Sequence, residues 1–142
     1  MQRLLTPLRL LLALLLASLA TLGGCIEPPY TNIDNARLQE LQAKNVPIYD
    51  VRRPEEWRKT GVIAGSRLLT FVDDNGRMLP DFLPSFSAQV GKNDPVILIC
   101  RTGSRTNTLG NLLVEKLGYT QVYNVRRGIT GWIAEKLPVV KN

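Results

Sequence analysis

The chain has 142 residues, a formal net charge of +6, and 44% hydrophobic and 21% charged residues. This length suits one folded domain, and the composition is that of a globular protein rather than a disordered one. The absence of histidine excludes Ser-His-Asp and Cys-His catalysis within the chain, and every metal site that needs histidine. Two cysteines are too few for a four-thiolate zinc site or an all-cysteine iron–sulfur cluster, so we predict no metal and no cofactor. No basic tract is interleaved with aromatic residues, so we expect no nucleic-acid partner.

The start of the chain has the features of an export signal. Arg3 and Arg9 are the only charges before Cys25, and the run LLLALLLASLATL occupies residues 10–22. Thirteen residues span about 20 Å as a helix, short of the roughly 30 Å hydrocarbon core of a membrane. A charged start, a short apolar centre and small residues at the end are typical of a secretory signal peptide rather than of a stable membrane span.

The apolar segment closes with LGGC at residues 22–25, which resembles the cleavage box of bacterial lipoproteins. This resemblance implies that residues 1–24 are removed and that Cys25 carries a lipid such as palmitate and becomes the first mature residue. The alternative is an uncleaved anchor in which Cys25 is an incidental thiol. Either way, we expect the domain to be held at a membrane of the cell envelope, outside the cytoplasm. Ile26 stands where lipoproteins retained at the inner membrane typically have aspartate, which favours the periplasmic side of the outer membrane.

Residues 25–32, CIEPPYTN, are predicted to be a tether that joins the lipid to a domain over residues 33–142. Because two adjacent prolines favour extended polyproline geometry, this tether reaches roughly 25 Å at most. The predicted strands of the domain are residues 47–51, 62–69, 96–99 and 121–125. The predicted helices are residues 36–44, 54–61, 79–90 and 128–137, together with one that follows Cys100 and ends at Gly118.

Several local signals support these elements. Asp34 is a candidate N-cap for the first helix, and Pro54 suits the first turn of the second. The run VILI at 96–99 is continuously apolar, as expected of a strand that is buried on both faces. Because strands alternate with helices, we predict an α/β fold with a mostly parallel central sheet.

Cys100 lies where this buried strand ends and a polar loop leads to the next helix. In open parallel sheets, ligands bind beyond the carboxyl ends of the strands. Backbone N–H groups at a helix N-terminus converge on negative charge, and Gly103 permits the left-handed backbone that such a turn needs. The first anion held there would be the cysteine's own thiolate, which is the nucleophilic form. The alternative is a buried cysteine with a packing role alone.

Four motifs follow one another in the domain: IYDVRRPEEW at 48–57, GVIAGSRLL at 61–69, CRTGSR at 100–105 and NVRRGITGW at 124–132. With these motifs the chain resembles a single-domain rhodanese, a member of the sulfurtransferase family. The resemblance implies a central sheet of about five strands with helices on both faces. It also implies that Cys100 is the catalytic residue, which accepts a sulfane sulfur as a persulfide and passes it to an external thiol or other nucleophile.

The resemblance also implies that residues 100–105 are the active loop of the family, and Thr106 adds a hydroxyl donor next to it. The predicted substrate-binding residues are therefore Arg101, Thr102, Gly103, Ser104, Arg105 and Thr106. Asp50 and Arg52 are predicted to form a structural ion pair near the site. Arg105 either binds the substrate anion or holds the loop by pairing with a carboxylate. The expected donor is a small sulfur-containing anion such as thiosulfate, and we expect the protein to be a monomer.

Two other functions stay open. A cysteine phosphatase or arsenate reductase shares the anion-binding principle, but its loops resemble CxxxxxR, with five residues between cysteine and arginine. Here four residues separate Cys100 from Arg105, which favours a smaller, sulfur-sized pocket. The other alternative is a non-catalytic module at the membrane that carries sulfur or binds a partner.

Overall fold

A computed structural model describes residues 27–142. Its strands are β1 (Thr31–Ile33), β2 (Ile48–Asp50), β3 (Arg67–Leu68), β4 (Val96–Ile99) and β5 (Val122–Val125). They form one five-stranded sheet in the order β1-β5-β4-β2-β3, and every neighbouring pair is parallel. The predicted α/β class, with a mostly parallel sheet of about five strands, is confirmed. The predicted signal peptide and Cys25 lie outside the described residues.

The helices are α1 (Asn35–Ala43), α2 (Pro54–Thr60), α3 (Phe82–Ser87), α4 (Ser104–Asn111) and α5 (Gly128–Ala134), and α4 continues into a π-helical segment, Leu112–Lys116. Within residues 27–142, no helix is both long and apolar enough to cross a membrane. The Asp34 carboxylate accepts the backbone N–H of Arg37 at 2.8 Å, and Pro54 is the first residue of α2. Both helix starts agree with the sequence-based prediction.

Helices cover both faces of the sheet, and β4 shows how. Successive side chains of a strand point to opposite faces. Ile97 and Ile99 pack with residues of α1 and α5, whereas Leu98 and Cys100 pack with residues of α3 and α4. All four side chains are fully buried. Cys100 therefore lies on the face that is covered by α4, the helix into which its own loop leads.

The strand predicted over residues 62–69 is wrong for most of its length. Only Arg67–Leu68 pairs with β2. Gly65 adopts a φ of 78°, and the Ser66 N–H donates to the carbonyl of Ile63 at 3.1 Å. The chain therefore turns between α2 and β3, and Val62 and Ile63 are buried outside any strand of the sheet.

Two predicted helices are shorter than expected. The helix predicted over residues 79–90 is reduced to α3, in which Pro84 lies in the first turn. A proline is tolerated there because the N–H it lacks has no partner within the helix. The helix predicted over residues 128–137 ends earlier, because Lys136 adopts a left-handed φ of 57°.

The sequence does not predict β1, which includes the last two residues of the predicted tether. Of its three residues only Ile33 is buried, so no apolar pattern marks this edge strand. Just before it, the Tyr30 ring packs on Gly110 of α4, where a Cβ would lie 2.6 Å from the ring. The Tyr30 hydroxyl donates to the side chain of Asn107. The segment ahead of the sheet is thus attached to α4.

Candidate active site

Three connections meet at the carboxyl end of the sheet. Cys100 directly follows β4, which lies between β5 and β2 in the middle of the sheet. The connection from β2 to α2 lies on one side of it, and the connection from β5 to α5 lies on the other. This is the position at which open parallel sheets bind ligands.

The Cys100 sulfur has two polar neighbours. The backbone N–H of Gly103 donates to Sγ at 3.1 Å, and Oγ1 of Thr106 lies 3.4 Å from Sγ. From the sequence we expected several converging N–H groups, but among the described residues one N–H and one hydroxyl lie close to the sulfur. The first hydrogen bond within the helix runs from the Asn107 N–H to the Gly103 carbonyl at 2.9 Å. Cys100 is fully buried, so the sulfur lies beneath the loop rather than on its surface.

Gly103 is required by both its conformation and its surroundings. Its φ is 97°, a region that favours glycine, and a Cβ would lie 2.4 Å from the carbonyl oxygen of Arg126. The loop after β4 is therefore pressed against the connection that follows β5. A side chain at this position would push Gly103 and its N–H away from the sulfur.

Gly128, at the start of α5, makes the matching contact from the other side. Its φ is 56°, and a Cβ would lie 2.4 Å from the Arg101 carbonyl oxygen. The next two N–H groups bind the loop: Ile129 donates to the Cys100 carbonyl at 2.9 Å, and Thr130 to the Arg101 carbonyl at 3.0 Å. The first turn of α5 thus holds the backbone of Cys100 and Arg101 in place, which explains the glycine of the NVRRGITGW motif.

Arg105 is paired with Glu56. Its two terminal nitrogens donate to the two carboxylate oxygens at 2.7 and 2.6 Å. The same carboxylate accepts the Arg53 N–H at 3.1 Å, which completes the first turn of α2. Burial acts to raise the pKa of Glu56, but the hydrogen bonds from Arg105 and Arg53 and the Arg105 charge lower it to about 2. The hydrogen bond to Glu56 raises the pKa of Arg105.

The alternative in which Arg105 pairs with a carboxylate is therefore the arrangement in this structure. Glu56 is a residue that the sequence analysis missed as a member of the site. The available signal is a pair of glutamates after Pro54, which reads as ordinary helix-start chemistry. Nothing local indicates that one of them reaches a loop 49 residues further along.

Asp50 and Arg52 form a fully buried ion pair. Nε and Nη2 of Arg52 donate to the carboxylate at 2.9 and 2.7 Å, and Nη1 donates to the Thr60 hydroxyl at 2.8 Å. The remaining donors reach the carbonyls of Glu56 and Gly61. All the N–H groups of this guanidinium are thereby occupied within the fold, where they join the end of β2 to the end of α2.

An open cleft of about 380 Å³ lies over the loop. The loop residues that line it are Arg101, Thr102, Ser104 and Arg105. Two of the predicted substrate-binding residues, Gly103 and Thr106, are buried below the cleft beside the sulfur. The structure therefore divides the predicted set into an outer group that faces solvent and an inner group that contacts Sγ.

Charges around this cleft are largely neutralised. Arg53 pairs with Asp74 at 2.9 Å and Arg105 pairs with Glu56 at 2.6 Å. Of the arginines in the described part of the chain that line the cleft, Arg101 has no carboxylate within salt-bridge distance. It is also exposed. The Arg101 guanidinium is therefore available to bind a small anion that enters the cleft.

The fold is an α/β domain in which a cysteine follows the central parallel strand and a glycine turn leads from it into a helix. This cysteine lies at the edge of the sheet where such folds bind ligands. The model of the rhodanese-like domain family matches residues 34–135, and the chain belongs to this family. Thiosulfate sulfurtransferase GlpE of Tolumonas auensis is 29% identical over 92 residues, which are 65% of this chain and 76% of that protein. A sulfurtransferase of Allochromatium vinosum is 27% identical over 110 residues, 76% of this chain and 92% of that protein. The crystal structure of Rv0390 from M. tuberculosis has a TM-score of 0.66 at 25% identity, and covers 80% of this chain and 99% of its own.

Proposed function

We propose that this protein is a sulfurtransferase that carries sulfur as a persulfide on Cys100. The observation that carries the proposal is the Gly103 N–H, which donates to Sγ at 3.1 Å at the N-terminus of α4. A hydrogen bond from an N–H favours the anionic form of sulfur, and the thiolate is the form that attacks. The rhodanese-like family and its sulfurtransferase-named relatives support the same reading.

The chemistry needs few protein groups. The Cys100 thiolate attacks the outer sulfur of a donor such as thiosulfate. A bond forms between Sγ and this sulfur, the donor's own S–S bond breaks, and its electron pair leaves with sulfite. Because sulfite is a stable anion, no protein acid is needed, which suits a chain without histidine. An external thiolate or cyanide then attacks the outer sulfur of the persulfide, and the Cys100 thiolate leaves.

The burial of Cys100 favours a slim donor. The bulk of the donor would remain in the cleft beside Arg101 and Thr102, while its terminal sulfur reaches Sγ past the loop. Cys100 is the free cysteine of the described residues, so no second thiol there resolves the persulfide. The sulfur must therefore pass to an acceptor outside the domain.

A cysteine phosphatase or arsenate reductase is disfavoured by the loop. Four residues lie between Cys100 and Arg105, and both terminal nitrogens of Arg105 bind Glu56 rather than facing an empty oxyanion site. The second alternative is a non-catalytic module that carries sulfur or binds a partner. Only a measurement of activity distinguishes it from a sulfurtransferase.

The full chain, incubated with thiosulfate, tests the proposal by intact-protein mass spectrometry. We expect one added sulfur atom, and its release as thiocyanate when cyanide is added. The adduct should persist in Cys25→Ser and disappear in Cys100→Ser. Failure of thiosulfate and of persulfide donors, with hydrolysis of an aryl phosphate, would establish the phosphatase alternative. Failure of both activities would leave the non-catalytic module.

We also propose that Cys25 carries lipid and holds the domain at a membrane of the cell envelope, on the periplasmic side. The proposal rests on the LGGC box and on the short apolar run before it. Metabolic labelling with a palmitate analogue should mark the wild-type chain and should not mark Cys25→Ser. Labelling of both chains, or of neither, would exclude lipidation at Cys25 without affecting the proposed chemistry at Cys100.

A further inference from the structure

A line of hydrogen bonds connects the nucleophile to the edge of the sheet. Sγ of Cys100 lies 3.4 Å from Oγ1 of Thr106, and this hydroxyl lies 2.6 Å from Oδ1 of Asn124 in β5. Nδ2 of Asn124 in turn donates to Oδ1 of Asn32 in β1 at 2.9 Å. Cys100 and Thr106 are fully buried, and Asn124 is 3% exposed. The sulfur-transfer steps described above give Asn124 no role.

The direction of this line follows from the donors and acceptors. Because the Asn124 amide gives its N–H to Asn32, its carbonyl oxygen faces Thr106. A carbonyl oxygen can only accept, and the Asn124 oxygen is the nearest acceptor at 2.6 Å, so Thr106 donates its single hydroxyl proton to Asn124. The Thr106 oxygen then presents a lone pair to Sγ. A lone pair accepts the S–H of a thiol, but it opposes a thiolate or a persulfide anion.

We propose that Asn124 is a positioning residue that controls, through Thr106, whether the cysteine sulfur is stabilised as a thiol or as an anion. When Cys100 is a thiol, Thr106 donates its hydroxyl proton to Asn124, and the Cys100 S–H donates to the Thr106 oxygen. When the thiol proton leaves to water, the Thr106 hydroxyl rotates and donates to the anionic sulfur. No covalent bond at Thr106 breaks in this exchange, but its hydrogen bond to Asn124 is replaced by one to the sulfur.

Two neighbours define how this exchange works. Asn32 fixes the orientation of the Asn124 amide, so the first residues of the sheet belong to the nucleophile's surroundings. The Gly103 carbonyl lies 3.1 Å from the Thr106 hydroxyl and is a competing acceptor. An anionic sulfur is the stronger acceptor, because charge-assisted hydrogen bonds are roughly twice as strong as neutral ones. The proposal rests on Cys100 as the proposed nucleophile, but it concerns the ionisation of the thiol and not the identity of the donor.

Two substitutions of similar shape separate this role from a structural one. Asn124→Leu removes the acceptor, which frees the Thr106 hydroxyl for the sulfur. Asn124→Asp strengthens the acceptor and adds negative charge. Thiolate formation is followed by ultraviolet absorbance against pH in the full chain, with the matching Cys100→Ser protein as a blank that cancels Cys25. We expect the midpoint to fall by about 0.5–1 pH unit in Asn124→Leu and to rise by at least as much in Asn124→Asp.

The controls make the outcome decisive. Asn35→Leu alters another buried asparagine, 5% exposed, and should leave the midpoint unchanged. In a Thr106→Val background, Asn124→Leu should cause no further shift, because the hydroxyl is gone. Shifts of both Asn124 variants in the same direction, or a higher midpoint in Asn124→Leu, would overturn the proposal.

A variant at the exposed end of the line guards against misfolding. Asn32→Leu frees the Asn124 amide to turn its N–H toward Thr106, so we expect a smaller fall of the midpoint than in Asn124→Leu. An unchanged midpoint in a folded Asn32→Leu protein would refute the role of the amide orientation. Because absorbance needs no sulfur donor, a failed sulfur-loading experiment would not produce any of these results.

Discussion

Replacement of Glu56 by glutamine tests whether the ion pair between Glu56 and Arg105 stabilises the contact between α2 and α4 beside the cleft. Glu56 lies in the first turn of α2 and binds both terminal nitrogens of Arg105, at the start of α4. Its side chain is 16% exposed. Glutamine keeps the shape of the side chain but loses the charge and one acceptor oxygen. The N-terminus of α4 would then be less firmly attached to α2.

The cost can be worked from the pKa of Glu56, which lies at about 2 instead of 4.5. At about 1.4 kcal/mol per unit, this depression corresponds to roughly 3 kcal/mol of stabilisation. Water in the open cleft screens part of it, so we expect Glu56→Gln to lower the free energy of unfolding by about 1–2 kcal/mol at neutral pH. A depressed pKa stabilises the folded state above the unfolded pKa, and this contribution is lost as the pH falls through the folded pKa. The cost of the substitution should therefore hold down to a pH of about 4.5 and shrink from there toward about 2.

Urea unfolding of both proteins across this pH range provides the measurement. Glu55→Gln is the matched control, because Glu55 lies in the same helical turn but is 53% exposed and pairs only with Arg53 among the described residues. Its cost should stay within about 0.5 kcal/mol at every pH. Equal losses of unfolding free energy in the two variants, or a loss in Glu56→Gln that does not change at low pH, would refute a stabilising role of the Glu56–Arg105 ion pair.

Three further substitutions probe contacts that hold the elements around the site together, each measured by urea unfolding. Gly128→Ala should cost about 2 kcal/mol or more and reduce sulfur loading, because its Cβ would lie 2.4 Å from the Arg101 carbonyl oxygen at a φ of 56°. Arg52→Met should cost about 3–5 kcal/mol, because it leaves a buried carboxylate without its partner. Gly110→Ala should cost about 1 kcal/mol instead of stabilising the helix, since its Cβ would lie 2.6 Å from the Tyr30 ring. In a Tyr30→Ala background, Gly110→Ala should become neutral or stabilising.

Local patterns account for what the sequence predicts well. The run VILI indicates a strand with both faces buried, and it places Cys100 at the carboxyl end of that strand. Gly103 indicates the turn that follows, because its left-handed φ is a local requirement. Both features depend on a few neighbouring residues, so they can be read without the rest of the fold.

The residues that the sequence analysis missed act over long distances along the chain. Glu56 meets Arg105 across 49 residues, and Asn124 meets Asn32 across 92. Asn124 does leave a trace, since it is a polar residue within the otherwise apolar strand VYNV. That trace indicates a buried hydrogen bond but not its partner, because the partner depends on which strand lies next to β5.

The difference between local patterns and contacts that are distant along the chain also limits how far a sequence motif can define the reactivity of the cysteine. A loop such as CRTGSR determines the path of the backbone and delivers the Gly103 N–H to the sulfur. It also supplies an arginine that the fold then uses elsewhere, since Arg105 binds Glu56. The second neighbour of the sulfur, Thr106, has its proton directed by a strand outside the loop. Two chains with the same six residues could therefore differ in how readily the thiol ionises, if their fifth strands differ at the position of Asn124.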